Sequence, residues 1–272
     1  MLGAIVGDIA GSRFEWNNYK RKDFGLFGND GLHREPCSVT DDTVMTVAVA
    51  DALLRFERIG DEAAFKKILV ERMHVIGRQR PYCGYGGRFY RWIASRDTEP
   101  YGSYGNGSAM RVAPVGWYAE TLADAERIAR LTAEVTHNHP EGIKGAQAVA
   151  GAVWLARHGA DKAELRRYIT ENFYPDAFDR SLREIRHGFQ FDESCQGTVP
   201  PAMVAFMAAG SFENAVRNAV SLGGDSDTLA DIAGAVAEAF FGVPDDIRET
   251  ALTFLDDELR ELTLRFTEKY CS

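Results

Sequence analysis

Two short acidic clusters carry most of the chemistry that this chain offers. Residues 40–43 read TDDT and residues 223–228 read GGDSDT, each directly ahead of an apolar run. Asp, Ser and Thr at a helix start satisfy the orphan N–H groups of the first turn, and the helix macrodipole favours carboxylates there. Asp225 or Ser226 could serve the second helix in this way. Capping needs a single acceptor, however. Thr40, Asp41 and Asp42 offer three in succession, and Asp225, Asp227 and Thr228 repeat the surplus. If tertiary folding joins the clusters, four carboxylates and two hydroxyls converge. That set suits two hard, oxygen-seeking cations of the magnesium type about 4 Å apart, with water completing each shell. Without cations the same groups would repel one another and some pKa values would rise. Neither cluster contains Cys or His, which disfavours soft or imidazole-preferring metals.

Helices must position these clusters. From TDDTVMTVAVADALLRFER onward the pattern is helical almost to the end, with Val44, Val47, Ala48, Ala50 and Leu54 forming an apolar stripe. Phe65, Ile68, Leu69 and Met73 repeat the spacing in the next stretch. Further helical patterns close on Gly, His or Asn, and the last, VPDDIRETALTFLDDELRELTLRFTEKY, reads as one long helix. No convincing strand alternation appears. The expectation is an all-α fold of ten or so helices in one domain, 1–272, since no linker or fixed-period repeat divides the chain. Residues 11–39, 80–107, 137–140 and 223–226 escape the pattern, and loops on a rigid scaffold are where sites are built.

Composition narrows the function. Apolar residues make up 45% of 272, enough for a large core, and the net charge of −9 argues against binding to a nucleic-acid backbone. Asp8 interrupts the apolar N-terminus and no basic residue precedes it, so the segment is a poor signal peptide; no apolar run reaches the roughly 20 residues of a membrane helix. Cys37, Cys83, Cys195 and Cys271 are scattered, as expected of free thiols in a reducing compartment. A cytoplasmic, monomeric protein is expected.

Five blocks occur in order: GDIAGSRFE, TDDT, SYGNGSAMRVAPVG (103–116), THNHPEG (136–142) and GGDSDTLADIAG (223–234). This series resembles the ADP-ribosylglycohydrolase family, which includes the dinitrogenase reductase-activating glycohydrolase and the ADP-ribosyl-acceptor hydrolases. The resemblance implies a compact all-α fold with two Mg²⁺ ions at the base of a cleft. It implies Thr40, Asp41, Asp42, Asp225, Asp227 and Thr228 as metal ligands, with Asp42 and Asp227 central to catalysis. It further implies that Ser103, Tyr104, Gly105, Asn106 and Gly107 form a loop for the diphosphate and neighbouring ribose, and that His137 contacts substrate. Small residues let backbone N–H groups approach phosphate oxygens. Glu15 lies where serine-directed members carry a catalytic glutamate, a group able to protonate a leaving group or activate water. Asp8 reads as a brace or a turn cap, and His139 as structural. In PYCGYGGRFYRW (81–92), Tyr82, Tyr85, Phe89 or Tyr90 could stack on adenine, or the segment could be a packed surface loop.

The expected activity is Mg²⁺-dependent hydrolysis of the bond joining ADP-ribose to an acceptor. Two alternatives remain open from the sequence: a non-catalytic ADP-ribose or nucleotide binder, and a metal-dependent phosphohydrolase. The rim segment 16–37, which would influence the acceptor, carries no legible specificity signal.

Overall fold

The computed structural model describes residues 1–28 and 36–271. Fifteen helices and no strand occur among them, with one isolated bridge between Gly105 and Ser194. In chain order they are α1 (Leu2–Ser12), α2 (Asp41–Leu54), α3 (Glu62–Gln79), α4 (Gly87–Ala94), α5 (Gly107–Met110), α6 (Ala113–Tyr118), α7 (Leu122–Glu134) and α8 (Pro140–Arg157). There follow α9 (Lys162–Asn172), α10 (Leu182–Gly188), α11 (Cys195–Met207), α12 (Phe212–Val220), α13 (Ser226–Phe241), α14 (Asp245–Leu252) and α15 (Asp257–Tyr270). The all-α expectation holds, but the count of ten was low. Helix α4 lies inside 80–107, a segment read as non-helical because its glycines and aromatics mask the period. The C-terminal stretch is two helices, because Asp256 accepts from the Leu259 N–H and starts α15 afresh. The four cysteines are free. No helix among the described residues is long and apolar enough to cross a membrane.

Helix α13 is buried on every side from Ser226 to Glu238, the mark of a central helix. Helix α1 lies along it at unusually short range because Gly3, Gly7 and Gly11 form an i, i+4 ridge facing the α13 backbone. A Cβ at Gly7 would lie 2.0 Å from the Ala230 carbonyl oxygen, and one at Gly3 would lie 2.3 Å from that of Gly234. At Gly11 it would meet the Asp227 Cα and the Ser226 carbonyl at 2.5 Å. The Glu238 carboxylate accepts from the Leu2 and Gly3 N–H groups, satisfying the first turn of α1. Ser226 Oγ donates to the Gly11 carbonyl at the other end of the seam. Thus α1 is held at both ends, and Asp8 in its middle is fixed against the start of α2 and the first turns of α13.

Enlarging the seam should be costly. Gly7→Ala should lower unfolding free energy by about 2 kcal/mol or more in urea titrations, since no flexible side chain can yield the space. Gly60→Ala, where a Cβ would meet nothing within 4 Å, should stay within about 0.5 kcal/mol of the parent protein.

Candidate active site

Thr40 is the N-cap of α2, in extended conformation, and its hydroxyl oxygen accepts from the Asp42 N–H at 3.3 Å. Asp41 and Asp42 fill the first turn. In α13 the corresponding cap does not form: Asp225 occupies the N-cap position but makes no side-chain capping bond. Its carboxylate instead accepts from Asn106 Nδ2 at 2.6 Å, while Ser226 turns to Gly11. The capping reading therefore holds for Thr40 and fails for Asp225 and Ser226. Ahead of α13, Gly223 and Gly224 both have positive φ (70° and 66°), a turn that glycine enters without strain. A side chain on Gly223 would strike Asn18 Oδ1 at 2.4 Å.

This turn delivers Asp225 and Asp227 to the carboxylates of α1 and α2. Asp8, Asp42 and Asp227 place carboxylate oxygens within 4.8 Å of one another, and so do Glu15, Asp225 and Asp227. Asp227 belongs to both groups. The clusters from opposite ends of the sequence thus meet, and Asp8 and Glu15 join them. Asp41 belongs to neither group but lies close enough to Asp8, Asp225 and Glu15 to feel their charge. Thr228 is buried beside Asp227, its N–H donating to Asp227 Oδ1 at 3.0 Å.

Asp8 is saturated with donors. It accepts from the Thr40 hydroxyl at 2.7 Å, from the Thr40 and Thr43 N–H groups at 3.1 Å each, and from the Thr43 hydroxyl. The brace reading of Asp8 fits this pattern. Asp42 Oδ1, by contrast, is buried without a hydrogen-bond partner. Asp231, one turn beyond Asp227 on the same face of α13, has both oxygens buried and unpartnered. Sequence reasoning missed Asp231; its i+4 spacing from Asp227 was the available signal.

The electrostatics follow from burial without counter-charge. Asp42 and Asp227 are held well above the usual carboxylate range, first by desolvation and then by neighbouring carboxylates, Asp231 and Asp8 for the one and Asp225 and Asp42 for the other. Asp41 and Asp231 are raised in the same way. Asp225 is raised by burial and eased by its hydrogen bonds, among them that of Asn106. Glu15 is pushed up to about 7 by burial, with Asp225 and Asp8 adding to it.

Above the carboxylates lies the 103–107 loop. Asn106 is buried and joins loop to floor, donating through Nδ2 to Thr198 Oγ1 as well as to Asp225. Its role as a strut had no sequence signal beyond its place in the loop. Ser103 Oγ accepts from the Gly105 N–H, and Tyr104 stays half exposed with its ring 5.3 Å from that of His139. His139 itself caps α8, accepting from the Glu141 N–H. His137 is buried, with Nε2 3.5 and 3.1 Å from where side chains on Gly105 and Gly107 would begin. Arg111, wholly buried, donates to Thr136 Oγ1 at 2.8 Å, and that hydroxyl lies 2.8 Å from His137 Nδ1. The Thr136 proton therefore goes to Nδ1, which leaves Nε2–H as the donor facing the glycine loop. Burial, followed by the charges of Arg111 and Arg88, keeps the ring neutral. In the aromatic segment Phe89 is core, stacked on Trp92, whereas Tyr82 is 96% exposed.

Without cations this site should oppose folding at neutral pH. A carboxyl whose pKa is raised by folding binds its proton more tightly in the native state, so stability falls as pH rises from about 4 toward the folded value. In EDTA at pH 7, Asp227→Asn should raise the thermal midpoint, and the gain should shrink on moving to pH 5; an unchanged or lowered midpoint at pH 7 would contradict the electrostatic account.

The comparisons agree with this architecture. The ADP-ribosylglycohydrolase family profile matches residues 1–272. The chain is 27% identical to the ADP-ribosylhydrolase ARH3 of Gallus gallus, covering 100% of this chain and 92% of that protein. It is 27% identical to the ARH3 of Homo sapiens, covering 89% and 84%. It is 25% identical to the ADP-ribosylarginine hydrolase Tri1 of Pseudomonas putida (strain GB-1), covering 89% and 70%. A solved structure described as an ADP-ribosylglycohydrolase-related protein complex superposes with a TM-score of 0.69 at 28% identity, covering 98% and 96%. With its whole length matched and its carboxylates gathered on one all-α frame, the chain belongs to the ADP-ribosylglycohydrolase family, as an enzyme that hydrolyses glycosyl bonds.

Proposed function

We propose that this protein is a Mg²⁺-dependent hydrolase that cleaves the glycosidic bond between ADP-ribose and an acceptor, releasing free ADP-ribose. The observation that carries the reading is the pair of carboxylate groups sharing Asp227, directly beneath a glycine-rich loop tied to them by Asn106. The donor set fits two hard cations. It is all oxygen, it holds an orphaned buried atom in Asp42 Oδ1, and its carboxyl groups stand at raised pKa values for want of counter-charge.

Asp42, Asp225 and Asp227 would hold the ions, with Thr40, Asp41 and Thr228 beside them. Thr40 is suited to this, because its proton is committed to Asp8 and one lone pair to the Asp42 N–H, leaving a second lone pair for a cation. When bound, the ions would supply positive charge to the hydroxyls of the ribose being cut and to a nearby water. Glu15 is the proton carrier for the bond being broken, held by burial and by Asp225 near the range where a carboxyl both gives and takes a proton at neutrality. The 103–107 loop and the Nε2–H of His137 hold the diphosphate and its ribose. Tyr104, half exposed at the loop, offers a ring face to adenine. The chain is proposed to act as a cytoplasmic monomer.

Release of ADP-ribose from a panel of ADP-ribosylated acceptors, with and without Mg²⁺, tests the reading. Asp42→Ala and Asp227→Ala should each reduce turnover by about a thousandfold or more while retaining the helical spectrum, and EDTA should do the same to the parent protein. Glu15→Gln should lower kcat by about a hundredfold or more with KM little changed. Full activity in EDTA, or AMP or phosphate as the product, would overturn the assignment.

A further inference from the structure

In a chain of net charge −9, one surface region carries the opposite sign. A cavity of about 580 Å³ is lined by Lys20, Arg183, Glu184, Arg186 and His187. None of its four basic residues forms an ion pair with a carboxylate among the described residues. Glu184, the one acid lining it, accepts from the N–H and hydroxyl of Ser181, closing the capping box of α10. Lys22, nearby in sequence, donates to Asn218 Oδ1 and is likewise without a carboxylate partner.

The cluster is built rather than incidental. Lys20 Nζ donates to the Phe189 carbonyl at 2.7 Å and to the Leu222 carbonyl, which pins the ammonium between two chain segments. Arg186 Nε donates to Ser221 Oγ at 3.0 Å, while its Nη2 is buried with no hydrogen-bond partner. Cations in the last turn complement a helix dipole, which accounts for Arg186 and His187 at the end of α10. It does not account for Lys20, brought to the same place from the segment after α1. Burial, and then the charge of Arg186, lower the pKa values of both Lys20 and Lys22.

Cations held by neutral partners from two chain segments match the phosphate group of a small ligand. The cavity volume exceeds what a bare oxyanion needs and lies in the range of small-molecule sites. We infer that the Lys20–Arg183–Arg186–His187 cavity is a second anion site, separate from the carboxylate centre, that takes the phosphate or diphosphate group of a small ligand. Neither the carboxylates nor the 103–107 loop contributes to it.

Calorimetry with inorganic pyrophosphate in EDTA tests the site without the cation centre. Binding is expected in the parent protein and in Asp227→Ala alike, and should weaken about tenfold or more in both Arg183→Gln and Arg186→Gln. Arg183 is exposed, so its variant keeps the test meaningful should Arg186→Gln fold poorly. A second titration uses ADP in the presence of saturating ADP-ribose. Binding tighter than that of pyrophosphate assigns the site to a nucleotide, and equal binding assigns it to the free anion. No pyrophosphate binding at millimolar concentration, or binding unchanged in both arginine variants, would overturn the inference.

Discussion

Seven carboxyl groups share one region of this protein: Asp8, Glu15, Asp41, Asp42, Asp225, Asp227 and Asp231. No lysine or arginine forms an ion pair with any of them among the described residues. Burying like charges is among the least favourable things a fold can do, and the surroundings bear its imprint. Burial raises the pKa of Asp8 as well, and four donors from the start of α2 offset part of that rise. Asp225 is eased by Asn106. Asp42 and Asp227 have no comparable relief, and their neighbours are further acids. An arrangement held at this cost points to positive charge brought from outside, which is why the site reads as a cation centre rather than as misplaced capping.

The upper wall of the site is arranged on a different principle. There the ring that faces the loop, His137, is held neutral by burial and by nearby arginines. The chain Arg111 to Thr136 to His137 uses a wholly buried cation to fix one hydroxyl proton, and through it the tautomer of one ring. Acceptors lie on the floor and donors on the roof, as a ligand with hydroxyls at one end and phosphates at the other requires. Asn106 spans the two, so the loop and the carboxylates keep a fixed spacing.

Much of this was legible in the sequence, though unevenly. The all-α class followed from periodicity, and the surplus of oxygens in TDDT and GGDSDT marked the two segments that meet. The short helices were not legible: α5 spans only Gly107–Met110, too few residues to show a period, and α4 hides among glycines. Asp231 was invisible for the opposite reason. In an Ala- and Gly-rich helix one acid passes for a solvated face, and only the packing reveals that α13 has no solvated face over those turns. Asn106 read only as a member of the diphosphate loop, because a hydrogen bond across 119 positions leaves no local trace. The basic cavity escaped notice because KRK at 20–22 and RSLREIRH at 180–187 lie far apart in sequence and only packing brings Lys20 to the second stretch.

The glycine seam between α1 and α13 bears on how this chain can vary. Gly3, Gly7 and Gly11 carry no side chain able to bind or react, yet the room beside each is closed by backbone, which no rotamer change can move aside. Asp8 rides on that helix, so displacing it by the width of a methyl group also shifts the donors and acids gathered around it. Inherited change in α1 is therefore filtered by distance rather than by chemistry. Variants there would be lost from a population as surely as those at a carboxylate, and a catalogue of intolerant positions would mark three glycines that have no reactive atom.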